Sequence, residues 1–125
     1  IYGNDWPTED GTCIRDYIHV LDLAKAHMSA IKMLDKSSSI FVNVNIGTGK
    51  GTSVLELAQT FEKVNKCKIP IVFEKRRKGD IPFSVANNAL ALNLLNWSPQ
   101  ETLEDMCRDG WKWLIKNPNG YEDKI

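Results

Sequence analysis

The chain lacks any long apolar run. Its uninterrupted hydrophobic stretches extend over a few residues, far short of the roughly 20 that a bilayer crossing requires. It also lacks an excess of either charge: 16 Lys and Arg residues balance 16 Asp and Glu, for a formal net charge of 0. No global field is available to draw in nucleic acid or an anionic membrane, so neither is expected as a partner. The three cysteines, Cys13, Cys67 and Cys107, are odd in number and widely spaced. They fit neither a disulfide framework nor a zinc pattern; packing roles in a reducing cytosol, and hence a cytoplasmic location, are expected. No internal repeat and no low-complexity linker divides the chain. No basic leader with an apolar segment behind it opens the sequence, so no secretory signal is expected. An initiator Met is missing too: the chain opens Ile1-Tyr2-Gly3, as a piece of something longer would.

What is present is the composition of a globular domain, 42% hydrophobic and 26% charged over 125 residues, a length that suffices for one core. "NDWPTEDGTC", Asn4 to Cys13, is turn chemistry, and "RDYIHV" after it is a short β-like stretch. Val20, Ala24, His27, Ile31 and Leu34 recur at helical spacing and predict a helix from Val20 to Leu34 with that stripe as its apolar face. "DKSSS" ends it. "IFVNVNIG" predicts a buried strand. Val54, Leu57, Ala58, Phe61 and Val64 mark a second helix, "IPIVFEK" another strand from near Pro70, and "NNALALNLLNW" a short helix ending before Trp97. Thr102 with Asp105 starts a last helix, with Leu103, Cys107, Gly110, Trp111 and Leu114 facing inward and Trp113 off that face. "NPNGYEDKI" is a polar tail. Strands alternating with helices make the class α/β.

"VNIGTGKGTSVLELA", a strand running through a glycine-rich turn into a helix, has the layout of many phosphate sites. The specific templates nevertheless fail. A dinucleotide fingerprint needs a third glycine where Thr52 stands; a Walker loop needs glycine at Val44 and Ser or Thr at Gly51. Ser53 and Glu56 form a capping box instead, so a structural turn is the fuller reading, with Lys50 pointing into water. Between the second strand and the short helix lies the basic loop "KRRKGDIP". Here Arg76 and Arg77 could fork onto phosphate oxygens. Gly79 allows a bend that brings Asp80 round, and an ionised carboxylate suits the hydroxyl pair of a ribose. On spacing alone a solvated charged loop is the simpler reading. Arg15, alone, reads as a surface residue; with Arg77 it could clamp a pyrophosphate. His19 and His27 have no partners at triad or metal spacing and read as core or capping residues.

Four blocks taken in order, "YGNDWPTEDGTCIRDYIHVLDLAKAH", "NIGTGKGTSVLEL", "RRKGDIP" and "NWSPQETLEDMCRDGWKWLIKNPNGY", resemble the C-terminal portion of the UDP-glucose 4-epimerases, from Ile1 to about Tyr121. The resemblance implies an NAD-dependent isomerase of the extended short-chain dehydrogenase/reductase superfamily that interconverts UDP-galactose and UDP-glucose through a 4-keto sugar. It implies that Arg15 meets the UDP phosphates, and that Arg77 and Asp80 take phosphate and ribose, with Lys78 and Gly79 in the same loop. Ile1 and Tyr2 stand where the backbone meets uracil, Tyr2 replacing the family's usual Phe. Ser84 stands against the sugar's 2-substituent, where a small residue leaves room for UDP-N-acetylhexosamines.

The resemblance further implies that residues 1–125 comprise a substrate-binding lobe plus edge elements of a Rossmann-type sheet, the "IFVNVNIG" strand and the helix after "RDYIHV" belonging to that edge. The glycine loop for NAD and the Tyr-x-x-x-Lys pair of the family do not occur in this chain. The piece itself is therefore expected to bind UDP at most, without catalysis, and its parent to be a homodimer. Another UDP-sugar epimerase, dehydratase or decarboxylase of the superfamily, or a non-catalytic UDP-sugar-binding module, would share these residues.

Overall fold

The computed structural model describes residues 1–36 and 39–121; the end of "DKSSS" before Ser39 and the last four residues of the polar tail lie outside them. Strand β1 (Ile14–Arg15) leads to helix α1 (Val20–Leu34), strand β2 (Thr52–Ser53) into α2 (Val54–Asn65), and strand β3 (Phe83–Ser84) to α3 (Ala89–Leu94) and α4 (Leu103–Lys116). The class is α/β as expected, around a small mixed sheet of order β2-β1-β3. β1 runs antiparallel to β2, with Arg15 opposite Thr52, and parallel to β3, with Arg15 opposite Ser84.

The helices begin where local chemistry starts them. His19 caps α1, its Nδ1 accepting the Leu21 N–H at 3.1 Å. Ser53 with Glu56, and Thr102 with Asp105, close reciprocal capping boxes on α2 and α4 that satisfy N–H groups with no intrahelical partner. α2 packs on α4 through Phe61 and Trp111, edge to face at 5.5 Å, and through Asn65, whose Nδ2 donates to the Cys107 carbonyl. A second cluster joins α1 to α3: Ala26, Ala91, Leu95 and Trp97 are buried together, with Ile18, Ala30, Met33, Val44 and Ile46 against them.

Several expectations need correction. The Val20–Leu34 helix is present, but the side that faces the core carries Asp22 and Ala26. Val20, Ile31 and Leu34 of the expected stripe are 70%, 51% and 52% exposed, and His27 is exposed as well. α1 is apolar on two sides, the pattern of a helix made to be covered twice. "IFVNVNIG" forms no strand, and Phe41 is 94% exposed. A strand exists only through a neighbour's ladder, and none of the described residues pairs with it. "IPIVFEK" is reduced to a single bridge, Glu74 with Tyr2. "RDYIHV" pairs only at Arg15, the ladder beginning one residue earlier at Ile14. On α4, Cys107 is buried as expected, whereas Leu114 and Gly110 are exposed.

Candidate functional site

The N-terminal segment and the loop before β3 meet edge to edge. The Ile1 amino group donates to the Val72 carbonyl, the Glu74 N–H to Ile1, and the Gly3 N–H to Glu74, each within 2.8 Å. This brings the ring of Tyr2 beneath the Arg77 guanidinium, 4.5 Å from ring centre to Cζ. The chain then turns at Lys78-Gly79. Gly79 has φ +91° with open space around it, a conformation glycine adopts without strain. The turn returns Asp80 to Arg77: Nε lies 3.0 Å from Asp80 Oδ2 and Nη2 3.4 Å from Oδ1. Lys78 points into solvent at the tip.

Arg15 reaches the same loop from β1, its Nη1 donating to the carbonyls of Ile14 at 2.8 Å and Ile81 at 3.0 Å. Ser84, exposed, closes β3 and sits across from Arg15. The structure thus gathers Ile1, Tyr2, Arg77 and Asp80 in one cluster and ties Arg15 to the carbonyl one residue beyond it.

Arg76 does not join Arg77 as the sequence suggested. Successive residues of an extended chain project to opposite sides, and Arg76 lies over the ring of Trp6 at 4.0 Å. Its Nε donates to Asp5 at 2.6 Å, while Trp6 Nε1 donates to the Tyr2 carbonyl. Arg76, Trp6 and Asp5 form a fastener that holds the Tyr2 edge in place. Sequence reasoning missed both this trio and the stacking of Tyr2, because each joins residues about 70 positions apart and leaves no local spacing signal.

The N–H groups that a phosphate would need at the glycine-rich turn and the start of α2 are largely engaged. All four leading N–H groups of α2 have protein acceptors: Ser53 gives to Glu56 Oε2, Val54 to the Cys13 carbonyl, Leu55 to Thr12 Oγ1, and Glu56 to Ser53 Oγ. In the turn itself, the N–H groups of Thr48 and Gly49 are taken by Asp16, each at 2.9 Å. A dinucleotide's pyrophosphate needs such groups free; the residues present do not fit NAD here.

Two further carboxylates anchor the framework. Burial alone would raise the carboxyl of Asp10; hydrogen bonds from Ser53 and Thr12 outweigh it and hold the group below its usual range. Asp22 is fully buried. There too burial opposes ionisation, and the N–H groups of Glu101 and Gln100, both at 2.8 Å, with Lys25 prevail and lower it. His19 Nε2 lies 3.5 Å from Asp109 on α4, so this histidine is a cap and a tie between helices. Among the described residues no cluster of three metal-ligating side chains occurs, and no helix is long and apolar enough to cross a membrane.

Fold and site together define a mixed α/β protein whose open edge carries an arginine–carboxylate pair stacked on an aromatic ring. The chain belongs to the family whose sequence model is described as GDP-mannose 4,6 dehydratase, which matches residues 1–110. Its relatives are UDP-glucose 4-epimerases, as the sequence blocks indicated. UDP-glucose 4-epimerase 4 of Oryza sativa subsp. japonica is 50% identical over 97% of this chain and 33% of its own length. The crystal structure of UDP-glucose-4-epimerase from Stenotrophomonas maltophila, with bound NAD and formylated UDP-arabinopyranose, superposes with a TM-score of 0.90 at 46% identity. That match covers 94% of this chain and 35% of the other. The Bifidobacterium longum UDP-glucose 4-epimerase, in complex with NAD+ and UDP, superposes at 0.89 with 44% identity over 97% and 36%. The chain spans about a third of the length of the relatives it matches.

Proposed function

We propose that residues 1–125 are the C-terminal, UDP-sugar-binding portion of an NAD-dependent UDP-glucose 4-epimerase. The complete protein would interconvert UDP-galactose and UDP-glucose through a 4-keto intermediate. The observation that carries this reading is the single edge on which Arg77 is paired with Asp80 and stacked on Tyr2, with Arg15 tied to Ile81 beside them. In it, Arg77 and Arg15 supply cationic N–H groups to the pyrophosphate, which charge-assisted bonds favour. Asp80 accepts from the ribose hydroxyls, and the backbone of Ile1 and Tyr2 faces uracil. The Arg77–Asp80 pair holds both groups in place before a ligand arrives and limits the ordering cost of binding. Ser84, small and exposed, leaves space for an N-acetyl group, so UDP-N-acetylhexosamines belong to the proposed substrate range.

Hydride chemistry needs a cofactor, and NAD would be held by the two thirds of the relatives' length that this chain does not span. The outward side of α1 supports such a further layer. Val20, Ile31 and Leu34 are at least half exposed there, and an apolar groove is lined by Ile40, Phe41, Val42 and Val44. The complete protein is proposed to be a cytoplasmic homodimer. The isolated chain would bind UDP at most. Incubated with UDP-galactose and NAD, it should yield no UDP-glucose; clear turnover by the pure chain would overturn this division of labour.

A further inference from the structure

Asp16 follows Arg15 directly, yet its carboxylate works on two other stretches of chain. Oδ1 accepts the N–H and the hydroxyl of Thr48; Oδ2 accepts the N–H of Gly49 at 2.9 Å and of Ala86 at 3.2 Å. The glycine-rich turn and the exit of β3 are thereby gathered onto the end of β1. Space is tight around it: a Cβ on Gly47 would come within 2.5 Å of Asp16 Oδ2 and 2.6 Å of the Ala86 side chain. Asn88 adds a second tie, its Nδ2 donating to the Gly47 carbonyl.

The two strands so held are those that carry Arg15 and Ser84 side by side. Each is two residues long, too short for its ladder alone to fix the pairing, since even a whole two-stranded hairpin is marginal in water. The carboxylate, with four donors at hand, is the strongest fastener at this junction, because hydrogen bonds to a charged acceptor exceed neutral ones.

We infer that Asp16 is a positioning residue for the nucleotide-sugar site: by binding the 47–49 turn and Ala86 it locks β1 against β3 and so aims the Arg15 guanidinium. The turn that looks like a phosphate loop would then serve phosphate binding indirectly, as the support of an arginine. This rests on the reading of Arg15 as a phosphate ligand.

A double-mutant cycle in the complete protein, with UDP as the calorimetric probe, tests it. Asp16→Asn keeps the size of the side chain but presents an NH2 group to two of the N–H donors. It should raise the Kd for UDP about tenfold, within the range of couplings inside one hydrogen-bond network. Arg15→Ala should raise Kd at least as much, and the double variant should match Arg15→Ala alone, since Asp16 then has nothing to aim. Thr48→Val, which removes the hydroxyl that donates to Asp16 and accepts the Lys50 N–H, should show the same non-additivity with Arg15→Ala, and Thr48→Ser should restore wild-type Kd; this arm stands even if Asp16→Asn fails to fold. A wild-type Kd in Asp16→Asn and Thr48→Val, or losses that persist undiminished in the Arg15→Ala background, would overturn the inference about Asp16 alone. A wild-type Kd in Arg15→Ala would instead overturn the phosphate reading on which it rests.

Discussion

The guanidinium of Arg77 lies over the ring of Tyr2, 4.5 Å from its centre, while the same side chain forks onto Asp80. A residue at the second position of the chain thus braces one near its middle. Tyr2→Ala in the complete protein should weaken UDP binding by about 0.5–1 kcal/mol, the size of an exposed cation–π contact. Tyr2→Phe keeps the ring face and should be nearly silent. Titration calorimetry distinguishes the two; equal losses would point to the hydroxyl and away from the stacking.

The buried carboxylate of Asp22 makes stability depend on pH. Its folded-state pKa lies below the ordinary 3.8. The unfolded chain therefore binds this proton more readily, and the contribution of Asp22 is present above about pH 4 and lost as pH falls through the folded value. Asp22→Ala should destabilise by about 1–3 kcal/mol for each N–H, of Gln100 and Glu101, left without an acceptor. The gap between wild type and variant should be full at pH 7 and narrow in acid. Urea unfolding at the two pH values checks this, and a gap that widened in acid would contradict it.

Ser84 stands across from Arg15 on the exposed edge of the sheet. Ser84→Tyr should lower kcat/KM for N-acetylated relative to plain UDP-hexose, because overpacking a tight site costs roughly 1–3 kcal/mol. An unchanged ratio would mean that other walls of the pocket set the range.

The helices were legible because their signals are local. Ser53 with Glu56, Thr102 with Asp105, and the stripe from Val54 to Val64 lie within one or a few turns. The orientation of α1 was not, since a helix apolar on two sides does not announce which side this chain covers. Residues 40–46 and 69–75 have strand composition, but a ladder depends on a neighbour that no local pattern names. The site divides in the same way. Arg77, Gly79 and Asp80 fall within one short loop, though the resemblance and not their spacing favours a ligand there. The tie from Arg15 to Ile81, the stacking of Tyr2, the diversion of Arg76 to Trp6 and the reach of Asp16 to Thr48 all join distant positions, and only the fold reveals them.

The most direct measurement of the central claim compares two cations, one from each loop that the sequence offered as a phosphate site. UDP titrated into the complete protein should lose about 1.5–3 kcal/mol of binding energy on Arg77→Ala, the range for hydrogen bonds to charged groups. Lys50→Ala, in the turn whose Thr48 and Gly49 N–H groups are already taken by Asp16, should leave binding unchanged. Loss on Lys50→Ala with none on Arg77→Ala would contradict the account, and would move the phosphate site to the glycine-rich turn.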